Sequence, residues 1–194
     1  MSYLRTFLPW IVFAVLPSAD WQWAALAALA VAAAIVAGQL RSGVGLDALV
    51  IELGSAVFFA ALAAVAFADH DSPVHTYSPA LSCATLGLIA GISLAVGRPF
   101  TAGIAKRTTP REVWSLKPFV RTNVVVTAVW TAAFVLTAAA LAWLEHAGQA
   151  HSVQATAVQI AGFAVPMLFT VRYVAHVQAK AAGQAAGATG QATR

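Results

Sequence analysis

GRPFTAGIAKRTTPREVWSLKPFVR, residues 97–121, separates two long apolar segments and holds six of the chain's eleven Lys and Arg residues. Its cations are Arg98, Lys106, Arg107, Arg111, Lys117 and Arg121. Working outward, Arg41 follows the second apolar segment and Arg5 precedes the first. Arg172, Lys180 and Arg194 end the chain. The alternate connections carry Asp20, then Asp69, His70, Asp71 and His75, then Glu145, His146 and His151, without a Lys or Arg. Six spans drawn through this pattern put every cation on one side of a bilayer, as the positive-inside rule requires. The expectation is an all-α, polytopic membrane bundle of about six transmembrane helices with a short cytoplasmic interfacial helix. It would be multi-pass in a bacterial cytoplasmic (inner) membrane, with both termini cytoplasmic.

Composition agrees. The 194 residues are 60% apolar and 9% charged, with mean hydropathy +0.79, against about 25% charged in a soluble domain. The +4 net charge and pI near 9.7 follow from topology-setting cations that face anionic headgroups. Nucleic acid is therefore not an expected partner. The single cysteine, Cys83, allows no intrachain disulfide, and no Cys/His spacing suggests a metal site. Phe7 to Leu16 after Arg5 imitates a signal peptide, but the run leads directly into the next span and reads as a retained helix.

A span needs roughly 20 apolar residues to cross a hydrocarbon core of about 30 Å. The segments lie near 3–18, 20–39, 46–68, 77–97, 118–144 and 152–176. The first is short and contains Pro9. Residues 1–180 form one transmembrane domain, and the Gly/Ala/Gln-rich 181–194 reads as a disordered cytoplasmic tail. Trp21, Trp23, Tyr77 and Trp143 fall at one set of boundaries, and Tyr3, Trp114 and Tyr173 at the other, as an aromatic belt. Trp130 falls at hydrocarbon depth and must pack against helices or lipid. Within the connection, Thr109-Pro110-Arg111-Glu112 has the form of a capping box with Pro at the first helical position. It predicts an interfacial helix through Val113, Trp114 and Leu116, ended at Lys117 by Pro118.

Ionisable groups inside a membrane are costly and mark candidate sites. Counted down from Ala68, Glu52 lies about 24 Å along its helix, which leaves it about 6 Å inside the far edge of the core. Arg98, Arg121 and Arg172 fall at that boundary, and Asp47 lies nearby. Two readings stay open for Glu52. It lines a cytoplasm-facing polar pocket for a solute, a proton or an anionic headgroup, paired with one of those arginines. Alternatively it is an interhelical tether. Gln159, about 10 Å from the start of its span, requires an interhelical hydrogen bond, and Pro166 frees a backbone carbonyl. Gly87 to Gly91 and the series Ala56, Ala60, Ala64, Ala68 are small-residue stripes for close helix approach, within the bundle or in a homodimer. The acidic and histidine residues of Asp69 to His75, with His146 and His151, read as solvated loop residues. Nothing in the chain has the pattern of a nucleophile, a phosphate loop, a metal-ligand set or a cofactor site, so the chain is read as non-enzymatic.

Gly97-Arg98-Pro99-Phe100-Thr101, the amphipathic connection to Trp114, Arg121-Thr122-Asn123 and Trp130 together resemble the intracellular septation protein A family of small polytopic inner-membrane proteins. Members have a Gly-Lys/Arg-Pro element after one span, an Asn near the start of the next, and a Trp one to two turns later. Phe7-Leu8-Pro9 is also similar. The layout covers most of the chain, and the specific motif covers residues 97–130. The resemblance implies a role in cell-envelope maintenance or septation through protein or lipid contacts, and it brings no catalytic residues. Asn123 thereby joins Glu52, Arg98, Arg121 and Arg172 in the candidate polar pocket. Lys106, Arg107, Arg111, Trp114 and Lys117 form the candidate partner or lipid surface. Expected partners are anionic headgroups, envelope or division proteins, and a second copy of the chain. The alternatives are a small transporter or channel centred on Glu52, and a lipid-handling protein.

Overall fold

The computed structural model describes residues 2–16, 20–45, 49–150 and 152–192, with side chains described between Arg5 and Gly183. Asp47 and His151 lie outside the described residues. Seven helices are described: α1 Ser2–Val15, α2 Trp21–Arg41, α3 Val50–Ala68, α4 Ser78–Ala95, α5 Phe100–Ala105, α6 Lys117–His146 and α7 Val153–Ala192. Among the described residues there is no strand.

Five helices, α2, α3, α4, α6 and α7, are long and apolar enough to cross a membrane. This makes the chain a multi-pass helical membrane protein. The first is shorter: 14 residues rise about 21 Å, less than the hydrocarbon thickness. Six apolar segments thus become five full-length helices and one short one. The tail differs too. α7 continues to Ala192 through the stretch expected to be disordered, because alanine, the best helix former, alternates there with isolated glycines.

The helices pack as α1 on α2, α2 on α3, α4 on α6 and α6 on α7. A shared core joins the two groups. Phe7 of α1 stacks on Trp130 of α6 with ring centres 5.2 Å apart, and Phe134 and Phe163 close around them. Lipid tails are as apolar as these side chains, so dispersion packing and interhelical hydrogen bonds hold the bundle rather than exclusion from water. Trp130 is buried as expected, and its Nε1 donates to Thr170 Oγ1 at 3.0 Å.

Small residues set the close approaches, but not all of the expected ones. A Cβ on Gly87 would stand 3.1 Å from Val135 Cγ2, and one on Gly162 would collide with Thr137. Ala60, Ala64 and Ala68 are exposed. A run of buried alanines, Ala24, Ala25, Ala28 and Ala32, lies instead on α2. The spacing-four stripe does not pack inside the bundle, because Phe59, Leu62 and Ala66 define the inward face of α3. Trp21 is also no belt residue. It is buried, stacks on His75 and donates Nε1 to the His70 carbonyl, while Trp23 and Trp143 are exposed as a belt requires.

One end of the bundle collects Arg41, Arg98, Lys117 and Arg121, and is called here the basic end. The other collects Asp69, His70, His75 and His146, the histidine end.

Candidate functional site

The connection at the basic end is built by three local devices. Gly97, at φ +71°, ends α4 in a Schellman turn, with Arg98 N donating to Ser93 O and Gly97 N to Leu94 O. Ser93 Oγ then accepts from Phe100 N at 3.1 Å, which caps the next helix, and donates to Ala90 O. Pro99 fixes the turn into α5. The six residues of α5 bury Phe100, Thr101 and Ile104, so this helix is tucked against the bundle. Thr101 Oγ1 bonds the Asn123 carbonyl at 3.0 Å and Thr127 Oγ1 at 2.9 Å.

The expected capping box does not form. Thr109 Oγ1 donates back to Ala105 O at 2.8 Å, so this threonine closes α5 instead of opening a new helix. Residues Arg111–Val113 make only one 3-10 turn, with no side-chain cap. The interfacial helix is therefore α5, upstream of the predicted one. Trp114 is held by its Nε1, which donates to Thr109 O at 3.0 Å. Lys106 Nζ lies 5.1 Å from the Trp114 ring centre and Arg111 Cζ 5.7 Å, both within cation–π range.

Glu52 is 3% exposed and is the one buried acidic side chain among the described residues. Its partner is not Arg98, Arg121 or Arg172, which are all exposed. Arg107 Nη2 meets Glu52 Oε1 at 2.9 Å. Thr6 Oγ1 of α1 donates to the same oxygen at 3.0 Å. With its amide oxygen turned to the guanidinium, Gln39 of α2 accepts from Arg107 Nη1 at 2.8 Å. One turn deeper, Trp10 Nε1 donates to Ser55 Oγ at 2.8 Å. Asn123 is buried but belongs elsewhere: its Nδ2 donates to Phe119 O within its own helix.

The candidate pocket is thus a closed polar knot of α1, α2, α3 and the α5 connection. Arg107 moves from the presumed surface into the knot, while Lys106, Arg111, Trp114 and Lys117 stay outside it. Arg107 was legible in principle. Phe100, Ile104 and Arg107 fall at helical spacing, and the turn that follows α5 keeps Arg107 on the side where Phe100 and Ile104 are buried. Thr6, Gln39, Trp10 and Ser55 left no such signal, because single polar residues in apolar helices do not announce which partner they meet.

The bundle also contains a largely apolar crevice of about 700 Å³ towards the histidine end, bounded by α1, α2, α4, α6, α7 and His75, and a shallower groove along α4 and α6. Neither includes Glu52. Gln159 lines the crevice and makes no hydrogen bond to a described residue, contrary to the interhelical bond expected of it. Among the described residues, no three His, Cys, Asp or Glu side chains gather as a metal site. No family model, curated protein or solved structure matches this chain.

Proposed function

We propose that the protein is a non-enzymatic, multi-pass protein of the bacterial inner membrane, akin to the intracellular septation proteins, that organises envelope partners at its basic end. The basic end would be cytoplasmic, following the distribution of Lys and Arg. The observation that carries the reading is the use made of Glu52. Its carboxylate is closed over by Arg107 and Thr6, so it ties the connection to the bundle. A carboxylate at 3% exposure, ion-paired inside the bundle, supports a tether over an open solute site. What remains outward is a cluster of Lys106 and Arg111 around Trp114, with the exposed Lys117 three residues further along the chain. Cations around an amphipathic indole suit an anionic surface, either headgroups or an acidic partner segment.

The test uses the protein in zwitterionic nanodiscs and measures capture of phosphatidylglycerol vesicles. Each cation near an anionic surface contributes about 1 kcal/mol, so replacing Lys106, Arg111 and Lys117 with Glu should weaken capture on the order of a hundredfold. Arg107 is left intact because it holds the fold. Undiminished capture by the folded triple variant rejects this surface.

A further inference from the structure

Toward the histidine end, the short α1 lines one side of a crevice of about 700 Å³ from Phe7 to Val15, with Trp21 and Ala24 of α2, His75, α4 and α7 around it. That volume is in the range of about 300–1,000 Å³ found for small-molecule sites. Phe7 and Trp130 close its deep end. Between α1 and α7 it opens sideways, past the exposed Val15 and Ile160. An opening of that kind faces acyl chains in a bilayer.

Two polar groups in its wall have no hydrogen-bond partner among the described residues. Gln159 has no hydrogen bond to any described residue, although it lies about 10 Å along α7 from its first residue. The Ser82 oxygen of α4 is shut off from solvent in its present rotamer and also has no partner. Amides and hydroxyls at hydrocarbon depth are ordinarily satisfied, and a serine hydroxyl turns readily to a partner. These groups fit a ligand that brings a hydrogen-bond acceptor below the headgroup level. The ester carbonyl of a glycerolipid is such an acceptor. The charge at this end narrows the head. Asp20, Asp69, Asp71 and Glu145 lie here with no Lys or Arg, which suits an ammonium and repels a net anion.

We propose that the crevice holds one acyl chain of a zwitterionic, ester-linked phospholipid from the leaflet at the histidine end. The chain enters between α1 and α7, and the Gln159 amide donates to an ester carbonyl. This site is separate from the basic connection and does not depend on its role.

The test uses the full chain, stripped of lipid in detergent and titrated with dioleoyl phosphatidylethanolamine, its ether-linked analogue, or phosphatidylglycerol, read by native mass spectrometry. One phosphatidylethanolamine should be retained, with the ether analogue roughly tenfold weaker for loss of the acceptor, and phosphatidylglycerol weaker as well. Gln159→Leu should erase the ester–ether difference. Ala164→Trp and, separately, Ala14→Phe fill the crevice and should lower retention about tenfold, with circular dichroism reporting that the helices persist. Equal binding of ester and ether lipid by the wild type overturns the proposal. So does a preference for phosphatidylglycerol, or full retention in a folded, filled variant. The Gln159→Leu comparison decides the carbonyl contact even if a filled variant fails to fold.

Discussion

The two ends of this bundle treat buried polar groups in opposite ways. At the basic end, Glu52, Arg107, Thr6 and Gln39 bond to one another in a closed knot. At the histidine end, Ser82 and Gln159 stand in the wall of an apolar crevice without hydrogen-bond partners among the described residues. Polar residues inside a membrane bundle therefore do not form one class. A partnered group fixes the arrangement of helices, whereas an unpartnered one at a crevice marks a place for something else to bind.

The largest effect that would break this contrast lies in the knot. Glu52→Gln or Arg107→Ala leaves a buried charge without its counter-charge, and unfolding measurements should show a loss of about 3–5 kcal/mol. Replacing both, as Glu52→Leu with Arg107→Met, should recover most of it, since apolar groups of similar volume substitute well for a buried pair. A double variant as unstable as either single one would mean the pair is not the source of the loss.

The next effect is steric. Gly162→Leu should cost about 1–3 kcal/mol, typical of overpacking, because even a Cβ at this position meets Thr137. The change separates α6 from α7, one wall of the crevice, and leaves the knot alone. Retained stability would show that α7 can shift away, and the crevice would then have no fixed width.

The smallest effect has the opposite sign. In lipid-stripped protein, Gln159→Leu removes an unpartnered amide and should raise stability by roughly 1 kcal/mol. The same type of substitution in the knot, Gln39→Leu, should lower it by a similar amount. If both variants shift in the same direction, the distinction between the two ends fails.

Much of the architecture was legible because bilayer thickness translates directly into helix length and cation placement. Trp130 at depth and Glu52 beneath the surface follow from counting at 1.5 Å per residue. What counting along a helix cannot supply is rotation and lateral contact. Glu52 was located in depth, yet its partner came from a short helix folded back under the bundle, not from the arginines at the rim. Thr109 had the residue pattern of a helix start, but its hydroxyl is taken by the carbonyl of Ala105. On α3 the alanine spacing was regular, but Phe59 and Leu62 dictate which face turns inward. The crevice has no motif at all. It lies between helices, lined by residues of α1, α2, α4, α6 and α7 that are far apart in the sequence.

The most direct measurement of the account is hydrogen exchange of the nanodisc-embedded protein, comparing wild type with Arg107→Ala. If Arg107 and Glu52 clamp the connection, the amides of residues 102–107 should exchange on the order of a hundredfold faster in the variant, while those around Val126 to Phe134 keep their protection. Equal exchange of residues 102–107 in the two proteins would contradict the clamp, and with it the reading of Glu52 as the residue that holds the basic surface in place.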